Sequence, residues 1–362
     1  MGACSDSEAV WRPGGRRFRR CPRAGCRPGR DRGARARHHC EPHRLCVPVG
    51  APWINRLVWG SPRPRVQLLG SEYAGVVVDV GEGVESYAVG DAVFGFIDGR
   101  PGAHAELVAV PVDGLVAPVP EGWDPADAAP GMEGAHYAHA CLRVTKVGPG
   151  DRVLVHGATG AIGTALVQLL HAEGVEVTAV CDQRPPDRPD LTEIGAARVV
   201  NVGDGARLDS VGGDYNAVIA ASGHLSFAAA RPLLRPGGSY VSNDMGRGGQ
   251  NLLLAAVGPV ARALDRHHAL FPLPRADAAL AAHLRRLMGR GAYRPVVDRV
   301  FDFGDLREAY AYVDTGRKIG NVVVTMPGGA RSGRWSPLAP GRQPSAEHPR
   351  ARPCHRHGRR LP

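Results

Sequence analysis

The chain has 362 residues and a net charge of +10, but residues 1–50 (12 Arg, no Lys, 4 acidic) carry +8 and residues 327–362 (8 Arg, no Lys, one Glu) carry +7, leaving −5 on the body between them. A mildly acidic body large enough for two cores is not a basic nucleic-acid-binding domain, and no apolar run reaches the roughly 18–20 residues that span a bilayer. Six of eight cysteines lie in the two Arg-rich ends, so Cys141 and Cys181 alone in the body exclude a disulfide framework and fit a reducing, cytoplasmic setting.

Residues 1–50 show no period of 2 or 3.6 and hold few aliphatics, and residues 1–30 lack the apolar core of a signal peptide. Three readings stand for these ends: a basic targeting or nucleic-acid-binding extension, a solvated disordered tail, or translation in the wrong frame of a GC-rich gene. The third is favoured, because codons for Glu41 to Pro48, read one base later, can encode Asn-Pro-Thr-Asp-Cys-Ala-Phe, with sense resuming near residues 48–51. A similar shift around Trp11 to Gly15, drawing on the flanking codons, can yield Tyr-Gly-x-Pro-Glu-Val. The stretch "HHCEPHRLC" at 38–46 has zinc-ligand residue types, yet in such a segment it is not expected to bind metal. The ends also lack interleaved aromatics and any reading motif, so no nucleic-acid partner is expected.

Residues 51–125 alternate short apolar runs with Gly, Pro and Asp turns, as in "GSEYAGVVVDVGEGVESYAVGDAVFGF" and "GAHAELVAVPVDGLVAPVPEG", which predicts a compact β domain. From residue 126 to 270 the texture changes. "DRVLVHGATGAIGTALVQLLHAEGVEVTAVCD" reads as strand (Val153–Val155), glycine turn, helix with Ile162, Leu166, Leu169 and Leu170 on one face, and strand (Val175–Val180). Gly157, Gly160 and Gly163 permit a tight turn, close approach to a pyrophosphate and close helix packing, placing phosphates at the helix N-terminus. Thr159, Ala161 and Ile162 belong to the same loop. Asp182 follows Gly163 by 19 residues, where a carboxylate accepts from the adenosine ribose and favours NAD, whereas Arg184 can pair with a 2′-phosphate and favours NADP; both remain open. Further strands are predicted at 197–202, 215–222 and 239–243, with a helix near 225–234 and an "RPGG" turn at 235–238. Ser222 and Asn243 end two of these strands and are expected to face the cofactor. The chain ends in a second Arg- and Pro-rich tail at 327–362.

Taken together, "G-S-E-x-x-G-x-V" at 70–77, "VGEGV" at 80–84, "VGDAV" at 89–93, the glycine unit and "GRKIGNVVV" at 316–324 resemble the medium-chain dehydrogenase/reductase superfamily over about residues 50–326. The resemblance implies an α/β fold class: a Rossmann doubly wound parallel sheet with an N-terminal GroES-like β domain, here incomplete because the first strands and an "N-P-x-D" segment are missing from 1–50. It implies that residues 271–326 end the Rossmann domain and return to the first domain, and it implies NAD(P)(H), cofactor contacts from Lys318 and Asn321 in the terminal loop, a residue near the nicotinamide at His136, and homodimers through Rossmann edge strands. His136 is equally a structural helix residue, and Tyr73 either lines the acceptor pocket or packs in the β domain.

Zinc members of the superfamily carry His-Glu in the first motif, whereas here the pair is Ser71-Glu72, and the four-cysteine structural lobe is missing from the body. A serine hydroxyl is a poor zinc ligand. The expectation is therefore a zinc-independent, quinone-reductase-like oxidoreductase that passes hydride to a quinone or conjugated enone or carbonyl. The alternative is a non-catalytic dinucleotide-binding protein with a truncated substrate cleft.

Overall fold

The computed structural model describes residues 34–40, 69–98, 102–181, 190–202, 208–244, 250–263 and 266–326. Gly- and Asp-bearing turns break the first part of the body into β2 (Glu72–Val77), β3 (Ala92–Phe96) and β4 (Leu115–Pro118), which pair antiparallel in sequence order. They share a six-stranded sheet with β1 (Ala34–Cys40), β11 (Val297–Asp302) and β12 (Asn321–Thr325), in the order β11-β12-β1-β2-β3-β4. The chain thus returns to its first domain at the end, as the terminal motif implied.

β1 lies inside the segment expected to lack regular structure. It pairs antiparallel with both β2 and β12, for example Arg37 opposite Ala74 and His39 opposite Val323. Ladder hydrogen bonds come from the backbone and do not need an apolar pattern, so a seven-residue Arg- and His-rich stretch can fill a gap between two strands. The place of a missing strand in the β domain is thereby occupied between β2 and β12.

The second sheet is wholly parallel and follows the order β10-β9-β8-β5-β6-β7. Its strands are β5 (Arg152–His156), β6 (Glu176–Cys181), β7 (Arg198–Asn201), β8 (Tyr215–Ala220), β9 (Leu234–Ser242) and β10 (His268–Leu270). The chain runs outward from β5 to β7, then restarts beside β5 at β8 and runs the other way. The boundary between β5 and β8 is the topological switch point of a doubly wound sheet, where such folds bind ligands.

Helices α1 (Pro125–Ala128) and α2 (Glu133–Thr145) join the two sheets, and α3 (Ala161–Ala172) follows β5. Leu166, Leu169 and Leu170 are buried as their spacing predicted, and Ile162 packs against the same core. The helix α3 is buried nearly all round because α2 covers the side that a surface helix would give to solvent. Two expectations shift. The helix near 225–234 shortens to α4 (Phe227–Ala230) and one 3-10 turn, and the "RPGG" turn is absorbed into β9. Tyr215 pairs with Leu234 and Ala217 with Ser239, so the extra residues form an irregularity within the strand pair. Helices α5 (Gln250–Ala263), α6 (Ala278–Gly289) and α7 (Leu306–Asp314) complete the fold. Among the described residues no helix is long and apolar enough to cross a membrane.

The contact between α2 and α6 holds a pair of imidazoles, His139 and His283, with ring centroids 5.5 Å apart. Burial, then His283 and Arg143, hold His139 below its ordinary value against the opposing pull of Asp277 and Glu173. Burial, then Arg286 and Arg290, do the same for His283, opposed by Glu173. The unfolded chain therefore takes up these protons first as pH falls. Stability is fully present above the ordinary imidazole value of about 6.5 and is lost as pH drops through the lower folded values. The melting temperature is expected to fall from pH 7 to pH 5, and a His139→Gln/His283→Gln double variant to show a shallower decline. An unchanged slope in that variant would contradict this account.

Candidate active site

At the carboxyl end of β5 the chain turns through Gly157 to Gly160 into α3. Gly157 has φ +77°, a left-handed conformation that favours glycine, and the N–H groups of Gly157 and Ala158 both donate to the Val180 carbonyl at the end of β6, each at 3.0 Å. Gly163 has a different constraint: a Cβ there would stand 2.2 Å from the Gly157 oxygen and 2.6 Å from the Ala158 Cα. Only a residue without a side chain lets α3 start so close to the turn. Gly160 caps α3 without a side-chain bond, so the first-turn N–H groups at Ala161, Ile162 and Gly163 stay at the positive end of a 12-residue helix.

Two other segments close on this turn. From β8, Ser222 lies against Gly157, and its Oγ is 3.2 Å from His156 Nδ1 at the end of β5. From the terminal motif, the Gly320 N–H donates to the Thr159 carbonyl at 2.7 Å, and Gly160 and Gly320 form a parallel bridge. Gly320 has φ +71°, and a Cβ on it would meet the Val296 oxygen at 2.2 Å. The glycine loop, the segment after β8 at Ser222 and the return loop thus converge at the switch point.

Lys318 and Asn321 reach the same region, but their polar groups serve the return loop. Lys318 Nζ, buried, donates to Gly320 O at 2.6 Å, and Asn321 Nδ2 donates to Val296 O at 3.0 Å. Asn321 Oδ1 is buried with no hydrogen-bond partner among the described residues. Asp182 and Arg184 lie outside the described residues. Asn243 follows the carboxyl end of β9 and accepts from Cys141 of α2.

The N-terminus of α2 is where Ser71 and Glu72 act. Met132, the capping residue, contributes no side-chain bond. Glu72 Oε1 replaces it, accepting from Met132 N at 2.8 Å and Glu133 N at 2.5 Å. Ser71 Oγ donates to Glu133 Oε2 at 2.6 Å, and all three side chains are buried. Sequence reading saw Ser71-Glu72 only as a motif; Glu133, 62 residues from Ser71, gave no local signal, nor did Cys141. A little further along α2, Gly134 abuts Ala161 at the start of α3, where a Cβ would meet the Ala161 oxygen at 2.8 Å. His136 is 1% exposed, its ring 5.4 Å from Phe96 and 5.0 Å from Tyr137. Burial lowers its pKa, against Asp98, Glu133 and the Arg275 backbone, with His139 adding to the lowering. Tyr73 packs in the β-domain core with Val77, Val93, Ala103 and Val116, and burial holds its phenol protonated well above the ordinary range.

Comparison with known proteins settles the family. The alcohol dehydrogenase GroES-like domain model matches residues 53–121, and the model described as zinc-binding dehydrogenase matches residues 194–324. The chain belongs to the medium-chain dehydrogenase/reductase superfamily. This dehydrogenase/reductase is 32% identical over 278 residues, 72% of its length, to the spectinabilin polyketide synthase system protein NorB of Streptomyces orinoci, of which it spans only 12%. It is 27% identical over 299 residues to the chloroplastic quinone-oxidoreductase QR1 of Triphysaria versicolor, covering 77% of this chain and 89% of that one. Among solved structures, the CurK enoyl reductase superposes with a TM-score of 0.67 at 20% identity, covering 85% of this chain and 94% of that one, which shows the shared fold.

A dinucleotide fits the dehydrogenase/reductase site. The close packing of α3 on the turn that Gly163 permits, the space above Gly160, where a Cβ would meet only the Gly157 oxygen at 3.7 Å, and the strand ends at the switch point are what a pyrophosphate and nicotinamide require. At the first motif, where the resemblance placed a histidine in zinc members, the Ser71 hydroxyl is a poor zinc ligand and is committed to Glu133, while Glu72 Oε1 is held by two backbone N–H groups. His38, His39 and Cys40 of the opening cluster lie on β1, while residues 41–46 lie outside the described residues.

Proposed function

We propose that this oxidoreductase reduces a small quinone or a conjugated enone or carbonyl with NAD(P)H, without zinc. The convergence of the glycine loop, Ser222 and the Gly320 loop at the β5–β8 switch point is the observation that carries this reading, supported by the quinone-oxidoreductase relative and the enoyl reductase fold. NAD(P)H, when bound, supplies the hydride. The chain's own part is to bind and orient: the first-turn N–H groups of α3 hold phosphate, and Ser222 and Asn243 flank the nicotinamide end. Lys318 and Asn321 brace the loop that closes on Thr159 and Gly160, and His136 offers a buried uncharged imidazole near the acceptor. Tyr73 supports the β-domain wall from its core.

An enone or quinone needs no metal to be electrophilic. Hydride at its electron-poor carbon places negative charge on its own oxygen, which takes a proton from water, so holding donor and acceptor together in a dry cleft supplies most of the catalysis. With the full chain, loss of nicotinamide absorbance is expected to require a quinone or enone and to be unchanged by a metal chelator. Inhibition by the chelator would overturn the zinc-independent reading. Dinucleotide binding without turnover on either acceptor class would instead show a binding protein with a truncated cleft.

A further inference from the structure

Asn243 is anchored on one side only. Cys141, fully buried on α2, donates its thiol hydrogen to Asn243 Oδ1 at 3.2 Å, while Asn243 Nδ2 is buried and has no hydrogen-bond partner among the described residues. Burying an amide nitrogen unpaired is costly, and such groups in folded proteins generally have an explanation, often a ligand. Asn243 directly follows β9, at the carboxyl end of a parallel sheet where the cofactor crevice opens. A side-chain amide can rotate to exchange its oxygen and nitrogen, so whatever holds the oxygen decides which end the crevice meets.

We propose that Cys141 is a positioning residue: its thiol fixes the Asn243 amide so that Nδ2 is presented as a donor to the carboxamide oxygen of bound nicotinamide. The inference rests on the dinucleotide reading above and adds to it a residue that touches neither cofactor nor acceptor. Burial raises the Cys141 pKa to about 12, so the thiol keeps its proton across the working pH range and remains a donor. A serine hydroxyl can replace it in that role, and alanine cannot.

The test compares Cys141→Ala, Cys141→Ser and Asn243→Ala in the full chain, titrated with NADPH, NADH and ADP-ribose, which lacks nicotinamide. Cys141→Ala is expected to weaken whichever dinucleotide the parent binds by about fivefold to tenfold, the loss of roughly one hydrogen bond. ADP-ribose binding and melting temperature should stay close to the parent, and Cys141→Ser should restore dinucleotide binding to within about twofold. In an Asn243→Ala background, Cys141→Ala should add nothing, because the thiol acts through that amide. Equal weakening of ADP-ribose, additivity with Asn243→Ala, or a loss confined to the acceptor KM would each overturn the assignment. If the parent binds ADP-ribose and neither dinucleotide, the nicotinamide site itself is wrong; if it binds none of the three, the oxidoreductase reading falls.

Discussion

Replacing Gly163 by alanine is expected to raise the Kd for NAD(P)H by about 100-fold or more and to destabilise the fold by about 2–3 kcal/mol. The new Cβ would stand 2.2 Å from the Gly157 oxygen and 2.6 Å from the Ala158 Cα. Both are backbone atoms of the same peptide unit at the start of the turn, so no side-chain rotation relieves the overlap. Either α3 withdraws from β5 or the turn opens, and each movement takes the helix N-terminus away from the phosphates it should hold. Titration by quenching of intrinsic fluorescence, with thermal unfolding of the same samples, separates the two effects. A variant that binds dinucleotide as tightly as the parent would show that the phosphates do not sit at this turn.

Glu72→Ala is the second large change, with an expected cost of about 3 kcal/mol, read as a fall in melting temperature or denaturation midpoint. Glu72 Oε1 caps α2 from another element, accepting two backbone N–H groups, at Met132 and Glu133. Its removal strands both donors in a site that water does not reach, because Glu72 is fully buried, and leaves a cavity beside the Ser71–Glu133 bond. Glu72→Gln keeps a carbonyl oxygen in the same place and should cost about 1 kcal/mol, the difference between a charged and a neutral acceptor. Equal losses in the two variants would mean that the charge, rather than the cap, stabilises α2. Either variant also reports on function, since α2 carries His136 and Cys141 and abuts the start of α3 through Gly134.

What could be read from the sequence was whatever is local and periodic. Leu166, Leu169 and Leu170 announced α3 and the three glycines announced the turn, both of which the fold bears out, whereas the return of "GRKIGNVVV" to the first sheet came from the family resemblance. The "RPGG" residues fall inside β9, yet none of them pairs with β8 and Gly237 keeps φ +72°, so the local turn survives as an irregularity within the strand. The strand β1 was invisible because its Ala, Arg and His residues include no β-branched or large apolar side chain to mark a strand; its neighbours β2 and β12, not its composition, define it. The same limit applies to the site. Ser71 and Glu133 are 62 residues apart, Cys141 and Asn243 are 102 apart, and no spacing rule connects them. Tyr73 shows the converse: a residue with pocket chemistry whose surroundings place it in the β-domain core.

The central claim is hydride transfer from a nicotinamide held at the glycine turn to an electron-poor carbon. The most direct measurement is a single turnover of the full chain with NADPH or NADH deuterated at both C4 positions and a simple enone, followed by mass and NMR analysis of the product. The account predicts one deuterium on the β carbon and a solvent-derived hydrogen on the α carbon, with the same result in the presence of a metal chelator. A product with solvent hydrogen at the β carbon, or label transfer that disappears with the chelator, would contradict it.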